Sequence, residues 1–235
     1  MHKIDMSSDV LARIKDFRPG LHMFGNIDPA RTAHIIVDLQ NGFMEPGATV
    51  EIPFAREIVP NVNEISRAVR AAGGINVFIR YLIDDETQVR WSSWFTDFAS
   101  PQRRKAMTDT FGKDSHGFTL WPGLDVRKDD LIVDKTRFGA FVPGSSDLHD
   151  ILQARGIDTL IITGTATNVC CESTARDAMQ MNYKVIFVAD ANATLSDAEH
   201  NATLNNMVTL FADVMTTEEL VGFLDKAAAS RQAAE

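Results

Sequence analysis

Apolar positions along the chain fall into two alternating patterns. Short, nearly unbroken runs rich in Val, Ile, Leu and Phe occupy residues 32–39, 75–80, 130–134, 159–162, 184–189 and 212–215. Runs of this length without polar alternation predict strands buried on both faces. Between them the apolar residues adopt helical spacing. Val10, Leu11, Ile14 and Phe17 follow a Ser7-Ser8 cap, predicting a short helix over 7–17. Ile58, Val62, Ile65, Ala68 and Val69 stripe the segment 51–72, where Pro60 sets the start of the regular helix and Gly73-Gly74 its end. Further helices are predicted over 147–155, capped by Ser145 or Ser146, over 197–211 with Leu204, Met207, Val208 and Phe211 inward, and over 217–228 behind Thr216. Residues 18–31, rich in Pro and Gly, read as a connector, and 81–122 shows no clean period.

Strand and helix alternate throughout, so the pattern predicts an α/β fold: a three-layer α/β/α sandwich around a largely parallel, doubly wound sheet. The domain reading is an N-terminal helical arm and connector over 1–31, one domain over 32–228, and a frayed tail over 229–235. The interval 81–122 holds Trp91, Trp94, Phe95, Phe98, Phe111, Phe118 and Trp121. That aromatic density in an irregular segment suits a lid or pocket wall, and packing against a second subunit would use the same residues.

Composition narrows the function. The 235 residues are 45% apolar and carry a formal net charge of −9. Enough apolar residues exist for a full core, and no basic stripe offsets the negative charge, which argues against a nucleic-acid partner. Arg103-Arg104-Lys105 is the one basic cluster. The charged N-terminus has no apolar signal core, and no run reaches the roughly 20 residues of a membrane span. Two adjacent cysteines make no disulfide framework and suit a reducing cytoplasm.

The densest chemistry lies in GIDTLIITGTATNVCCESTARDAMQM, residues 156–181. A buried strand breaks at Gly164 into a polar turn, and a helix with Val169, Ala175, Ala178, Met179 and Met181 inward follows. Cys170 and Cys171 stand at its start, where free N–H groups and the helix dipole are expected to favour a thiolate. About 100° separates neighbouring side chains of a helix, so one sulfur is read as chemical and the other as packing. A free cysteine can equally be a small buried hydrophobe. Asp38 ends the first strand and Lys135 follows the third, both at strand exits, where doubly wound sheets bind ligands. A strand-ending acid is as often a turn former, and such a lysine is commonly solvated. Together they form a set in which a carboxylate takes the thiol proton and a lysine steadies the anion.

DLQNGF, DKTRFGAF and GTATNVCCESTARDA resemble the three motifs of the isochorismatase-like cysteine hydrolases, over about residues 32–224. The string TNVC-x-EST-x-RDA is most similar to the ureidoacrylate amidohydrolase and N-carbamoylsarcosine amidase branch. The resemblance implies Cys170 as nucleophile, Asp38 as general base and acid, and Lys135 as the cation. Cys171 stands where the family commonly has Val. It also implies a non-proline cis peptide at Thr165-Ala166, an oxyanion hole from the backbone N–H groups of Ala166 and Cys170, and a pocket lined by Phe43, Asn41, Trp94 and Phe141. A dimer or tetramer is implied too. The Asp-x-His metal motif of the nicotinamidases is missing between Val50 and Arg90, and His22, His34, His116, His149 and His200 are scattered. The expectation is therefore no metal, no cofactor, and thioester hydrolysis of a small ureido, carbamoyl or primary amide. The alternatives are a nicotinamidase-like or isochorismatase-like hydrolase, a non-catalytic binding member of the fold, and a redox module using both cysteines. Arg80, Arg90 or Arg137 could meet a substrate carboxylate, or lie on the surface.

Overall fold

A computed structural model describes residues 1–16 and 18–232. Six strands form one sheet in the order β3-β2-β1-β4-β5-β6. They are β1 (Thr32–Val37), β2 (Ile75–Tyr81), β3 (Leu131–Lys135), β4 (Thr159–Thr165), β5 (Lys184–Ala193) and β6 (Asp213–Met215). Every pairing is parallel, as right-handed crossovers through helices require. β1 is buried at all six positions, which is why the run TAHIIV carries no polar alternation.

The helices are α1 (Ser8–Ile14), α2 (Asn41–Met44), α3 (Val59–Ala72), α4 (Asp85–Arg90), α5 (Pro101–Phe111), α6 (Leu148–Gln153), α7 (Glu172–Gln180), α8 (Asp197–Asn206) and α9 (Thr217–Gln232). Ala33, Ile35 and Val37 face a core shared with α1, α6, α7 and α8. Ile36 faces the other core, with α3 and α9. Alternate residues of one strand thus cement two helical layers.

Several boundaries moved. α3 begins at Val59 with Pro60 in its first turn, and the residues before it form a separate turn, Pro53–Arg56. β4 does not stop at Gly164 but continues to Thr165. Gly164 has φ +121°, and a Cβ there would sit 2.1 Å from Val37 O. Only glycine lets β4 approach β1 this closely. Ser7 occupies the N-cap of α1 without a side-chain cap, and the predicted role of Phe17 in that helix lies outside the described residues. The α6 N-cap position is Asp147, and Ser146 Oγ accepts from Leu148 N–H at 3.3 Å. α9 runs four residues beyond Ala228, to Gln232, where a frayed tail was expected, and 233–235 lie outside the described residues. The predicted 81–122 irregularity contains α5, which the apolar pattern hid because only Met107 and Phe111 are buried along it. Ser100 accepting from Arg103 N–H, with Pro101 in the first turn, was the readable start signal.

Candidate active site

In this strand order the direction of winding reverses between β1 and β4, and the crevice beyond their carboxyl ends is the place for a ligand. Asp38 follows β1 directly. Its φ is +54°, a left-handed conformation that few residues other than glycine adopt and that Asp tolerates. The turn is fixed on both sides: Asp38 N–H donates to Ile79 O at 3.0 Å, and Gln40 N–H donates to Asp38 O at 2.8 Å. Strain of this kind concentrates where the surroundings over-determine a site.

Lys135 ends β3, in register with Tyr81 of the intervening strand β2. Its ammonium stands 4.8 Å from the Tyr81 ring centroid and crosses that strand to donate to Asp38 Oδ2 at 2.7 Å and to Arg137 O at 3.1 Å. Both members of the pair are wholly buried. Removing two charges from water is tolerable only with close pairing and added hydrogen bonds.

β4 supplies the third group. The Thr165-Ala166 peptide is cis, and a wide π-type turn over Thr167–Cys171 leads into α7. Val169 and Cys171 N–H both donate to Ala166 O, at 3.1 and 3.2 Å. Among the described residues, no backbone acceptor takes the N–H of Ala166 or Cys170 outside the regular elements. Cys170 is 5% exposed and its thiol interacts with both Asp38 and Lys135. Cys171 is fully buried, and both sulfurs are free. Cys170 lines a cavity whose lining does not include Cys171, which separates the two thiols.

The electrostatics correct one expectation. Burial pushes the Cys170 thiol well above its ordinary pKa, with Lys135 opposing and Asp38 reinforcing the rise. Desolvation thus opposes the preference for thiolate expected at a helix start. Burial also raises the Asp38 carboxyl, against the attraction of Lys135. Burial works against the Lys135 ammonium, yet the Asp38 carboxylate beside it opposes that, and its pKa lies above the ordinary value. Lys135 and Asp38 thus stand as a close, buried pair beside the Cys170 thiol. One acceptor is spare: Asp38 Oδ1 is buried without a hydrogen-bond partner.

The cavity has a volume of about 450 Å³. Phe43 and Trp94 line it as expected, with Ala166 and Cys170. Asn41 and Phe141 do not. The Asn41 amide instead donates to Thr119 Oγ1 at 2.8 Å and His116 O at 3.2 Å, holding the 116–119 turn. Phe141 packs within the core shared with α1, α6, α7 and α8, 5.5 Å from the Tyr183 ring. Its place is taken by Phe138 of the same FGAF string, three residues earlier, wedged edge-on against Trp91 and Trp94. Tyr81, Met107, Leu195 and the loop 48–52 also line the cavity and were missed, because their meeting depends on chain crossings that no local pattern encodes. Of the basic residues considered for a carboxylate, Arg80 pairs with Asp134, Arg90 with Glu86, and Arg137 lies over Trp91. Among the described residues no group of three or more His, Cys, Asp or Glu side chains is placed to hold a metal ion, and no helix is long and apolar enough to cross a membrane.

Comparison with known proteins agrees with this geometry. The isochorismatase domain matches residues 32–219. The uncharacterized isochorismatase family protein YwoC of Bacillus subtilis is 34% identical over 197 residues, covering 83% of this chain and 95% of that protein. The ureidoacrylate amidohydrolase RutB of Methylobacterium radiotolerans is 31% identical over 224 residues, covering 86% of this chain and 84% of that one. A crystal structure of a cysteine hydrolase from Pseudomonas syringae pv. phaseolicola superposes with a TM-score of 0.76 at 28% identity, covering 90% of this chain and all of that one. With its domain match spanning most of the sequence and its strand-exit site intact, the chain belongs to the isochorismatase family of hydrolases.

Proposed function

We propose that this hydrolase is a cysteine amidohydrolase that cleaves a C–N bond in a small ureido, carbamoyl or primary amide. The observation that carries the reading is the buried Asp38–Lys135 pair, closed at 2.7 Å, interacting with the one thiol that opens on the cavity. Similarity to a ureidoacrylate amidohydrolase over most of both chains supports the choice of bond. A cavity of about 450 Å³ suits a small ligand.

In this mechanism the Cys170 proton passes to Asp38 as the sulfur attacks the substrate carbonyl, forming the C–S bond. Burial of Asp38 makes it the stronger base, and Lys135 keeps the proton from settling there at rest. The N–H groups of Ala166 and Cys170 receive the developing oxyanion, a role in which a single donor is commonly worth about 10²–10³ in rate. The C–N bond breaks as Asp38 returns its proton to the departing nitrogen. Water, deprotonated by Asp38, then hydrolyses the thioester, and the proton goes back to sulfur.

A screen for ammonia or amine release across ureido acids, carbamoyl amino acids and simple amides tests the reading. One class should turn over in the wild type, lose turnover in Cys170→Ala and survive dialysis against EDTA. A substrate hydrolysed equally well by Cys170→Ala would refute it.

A further inference from the structure

The catalytic reading above uses none of the buried histidines His2, His34 and His200. His2 belongs to the N-terminal segment, 195 residues from its nearest ion partner in sequence, yet its side chain is only 2% exposed. Its imidazole lies between two rings. Phe54 is 4.2 Å away on one side, and His200 is stacked at 4.4 Å with a 16° interplanar angle on the other.

The hydrogen bonds define the tautomer. Thr194 N–H donates to His2 Nε2 at 3.0 Å, so that nitrogen carries no hydrogen. Nδ1 therefore holds it and donates to Asp197 Oδ1 at 2.8 Å. Each contact leads to a wall of the Cys170 cavity. Thr194 precedes Leu195, a lining residue, and Thr194 Oγ1 donates to Asn168 Oδ1 at 2.6 Å. His200 Nδ1 lies 2.9 Å from Thr167 Oγ1, at the start of the turn that carries Cys170. Phe54 follows Ile52, another lining residue. Three separate cavity segments thus meet at one side chain.

We propose that His2 is a positioning residue of the active site: its imidazole clamps the Thr194-Leu195 wall to the Thr167–Cys171 turn and so sets the sulfur and oxyanion N–H groups in register with Asp38. It touches no substrate and acts through the backbone of Thr194 and the ring of His200. The inference rests on the reading of Cys170 as the reacting thiol. Small misplacements of reacting groups are costly, up to about 10² in rate for 1 Å.

The experiment uses the full chain and three variants. His2→Gln puts an acceptor where Nε2 was, His2→Asn puts a donor where Nδ1 was, and His2→Ala has neither. The readouts are kcat and KM on the best substrate of the screen, the rate of Cys170 alkylation by iodoacetamide, and Tm. His2→Ala should lower kcat about tenfold, His2→Gln should recover most of that loss, and His2→Asn should not, even where the Gln and Asn proteins melt together. A purely structural role predicts losses that follow Tm and ignore which nitrogen is replaced. Wild-type kcat in His2→Ala, or equal behaviour of Gln and Asn at equal Tm, overturns the proposal while leaving the hydrolase reading intact. If no substrate turns over in the wild type, the hydrolase reading fails. Alkylation still tests the clamp: a rate changed at least threefold by Ala and restored by Gln alone supports it, and an unchanged rate rejects it.

Discussion

Two buried polar clusters four residues apart, one at His34 within β1 and one at Asp38 just past its end, differ in kind in their hydrogen bonding. At His34 the ring nitrogens meet Asn76 Oδ1 at 3.2 Å and Thr163 Oγ1 at 2.8 Å, and Ser66 Oγ lies 3.2 Å from Nδ1. Asn76 in turn donates to Ser66 O and Asp130 Oδ1. That network is closed, it binds α3 to three strands, and none of these residues lines the cavity. At Asp38 the network is open: one oxygen holds Lys135 and the other has no partner, beside a thiol at a cavity. A closed buried network rigidifies a core, whereas an open one beside empty space is poised to take up a proton.

The largest test of this contrast is at the sulfurs. Cys170→Ala should lower turnover at least about 10³-fold, read as product release at saturating substrate. Cys171→Ala, which replaces a buried packing group, should leave turnover within a few fold and lower Tm. The reverse result would move the nucleophile. Next in size, Asp38→Asn should cost about 10²–10⁴ in kcat through loss of the proton acceptor. His34→Leu should instead leave kcat within a few fold and destabilise the fold by about 1–3 kcal/mol in denaturant melts, because Asn76 and Thr163 lose partners. Equal kinetic damage at the two positions would erase the distinction.

The closed cluster also has a pH signature. Burial lowers the His34 pKa from 6.5 to about 3, and burial lowers that of His200 to about 4. Folded chains hold both rings neutral while unfolded chains protonate them below 6.5, so the unfolded state binds more protons. Stability should therefore fall with pH from about 6.5 towards 3, and His34→Leu should flatten that slope in melts across pH. An unchanged slope would mean the ring is protonated in the fold. The smallest expected effect lies at the aromatic pair: Phe138→Ala should raise KM several fold, while Phe141→Ala should lower Tm and spare KM.

Much of this was readable before any coordinates. All six strands lie within a few residues of their apolar runs, and β1 and β4, buried at every position, show why: a strand buried on both faces must be continuously apolar. The residues Asp38, Lys135 and Cys170 stood out as polar interruptions at strand exits. Asn41 and Phe141 did not meet expectation for a geometric reason. Phe138 and Phe141 both pack against the core shared with α1, α6, α7 and α8, and the string FGAF does not say which phenylalanine also reaches the cavity. The helix-start argument for Cys170 is local, whereas the desolvation that pushes its thiol pKa upward depends on everything packed around the sulfur.

The amino-acid order alone determined the alternation of strands and helices, hence a parallel sheet with its polar groups at one edge. It did so because hydrophobic period and turn chemistry are short-range properties. Only the tertiary structure decided that the lysine of an edge strand crosses β2 to reach Asp38, that burial pushes the Cys170 thiol pKa upward, and that a histidine near the chain start stacks on His200. Those outcomes depend on burial and on contacts between residues as far apart as His2 and His200, and no local window contains them.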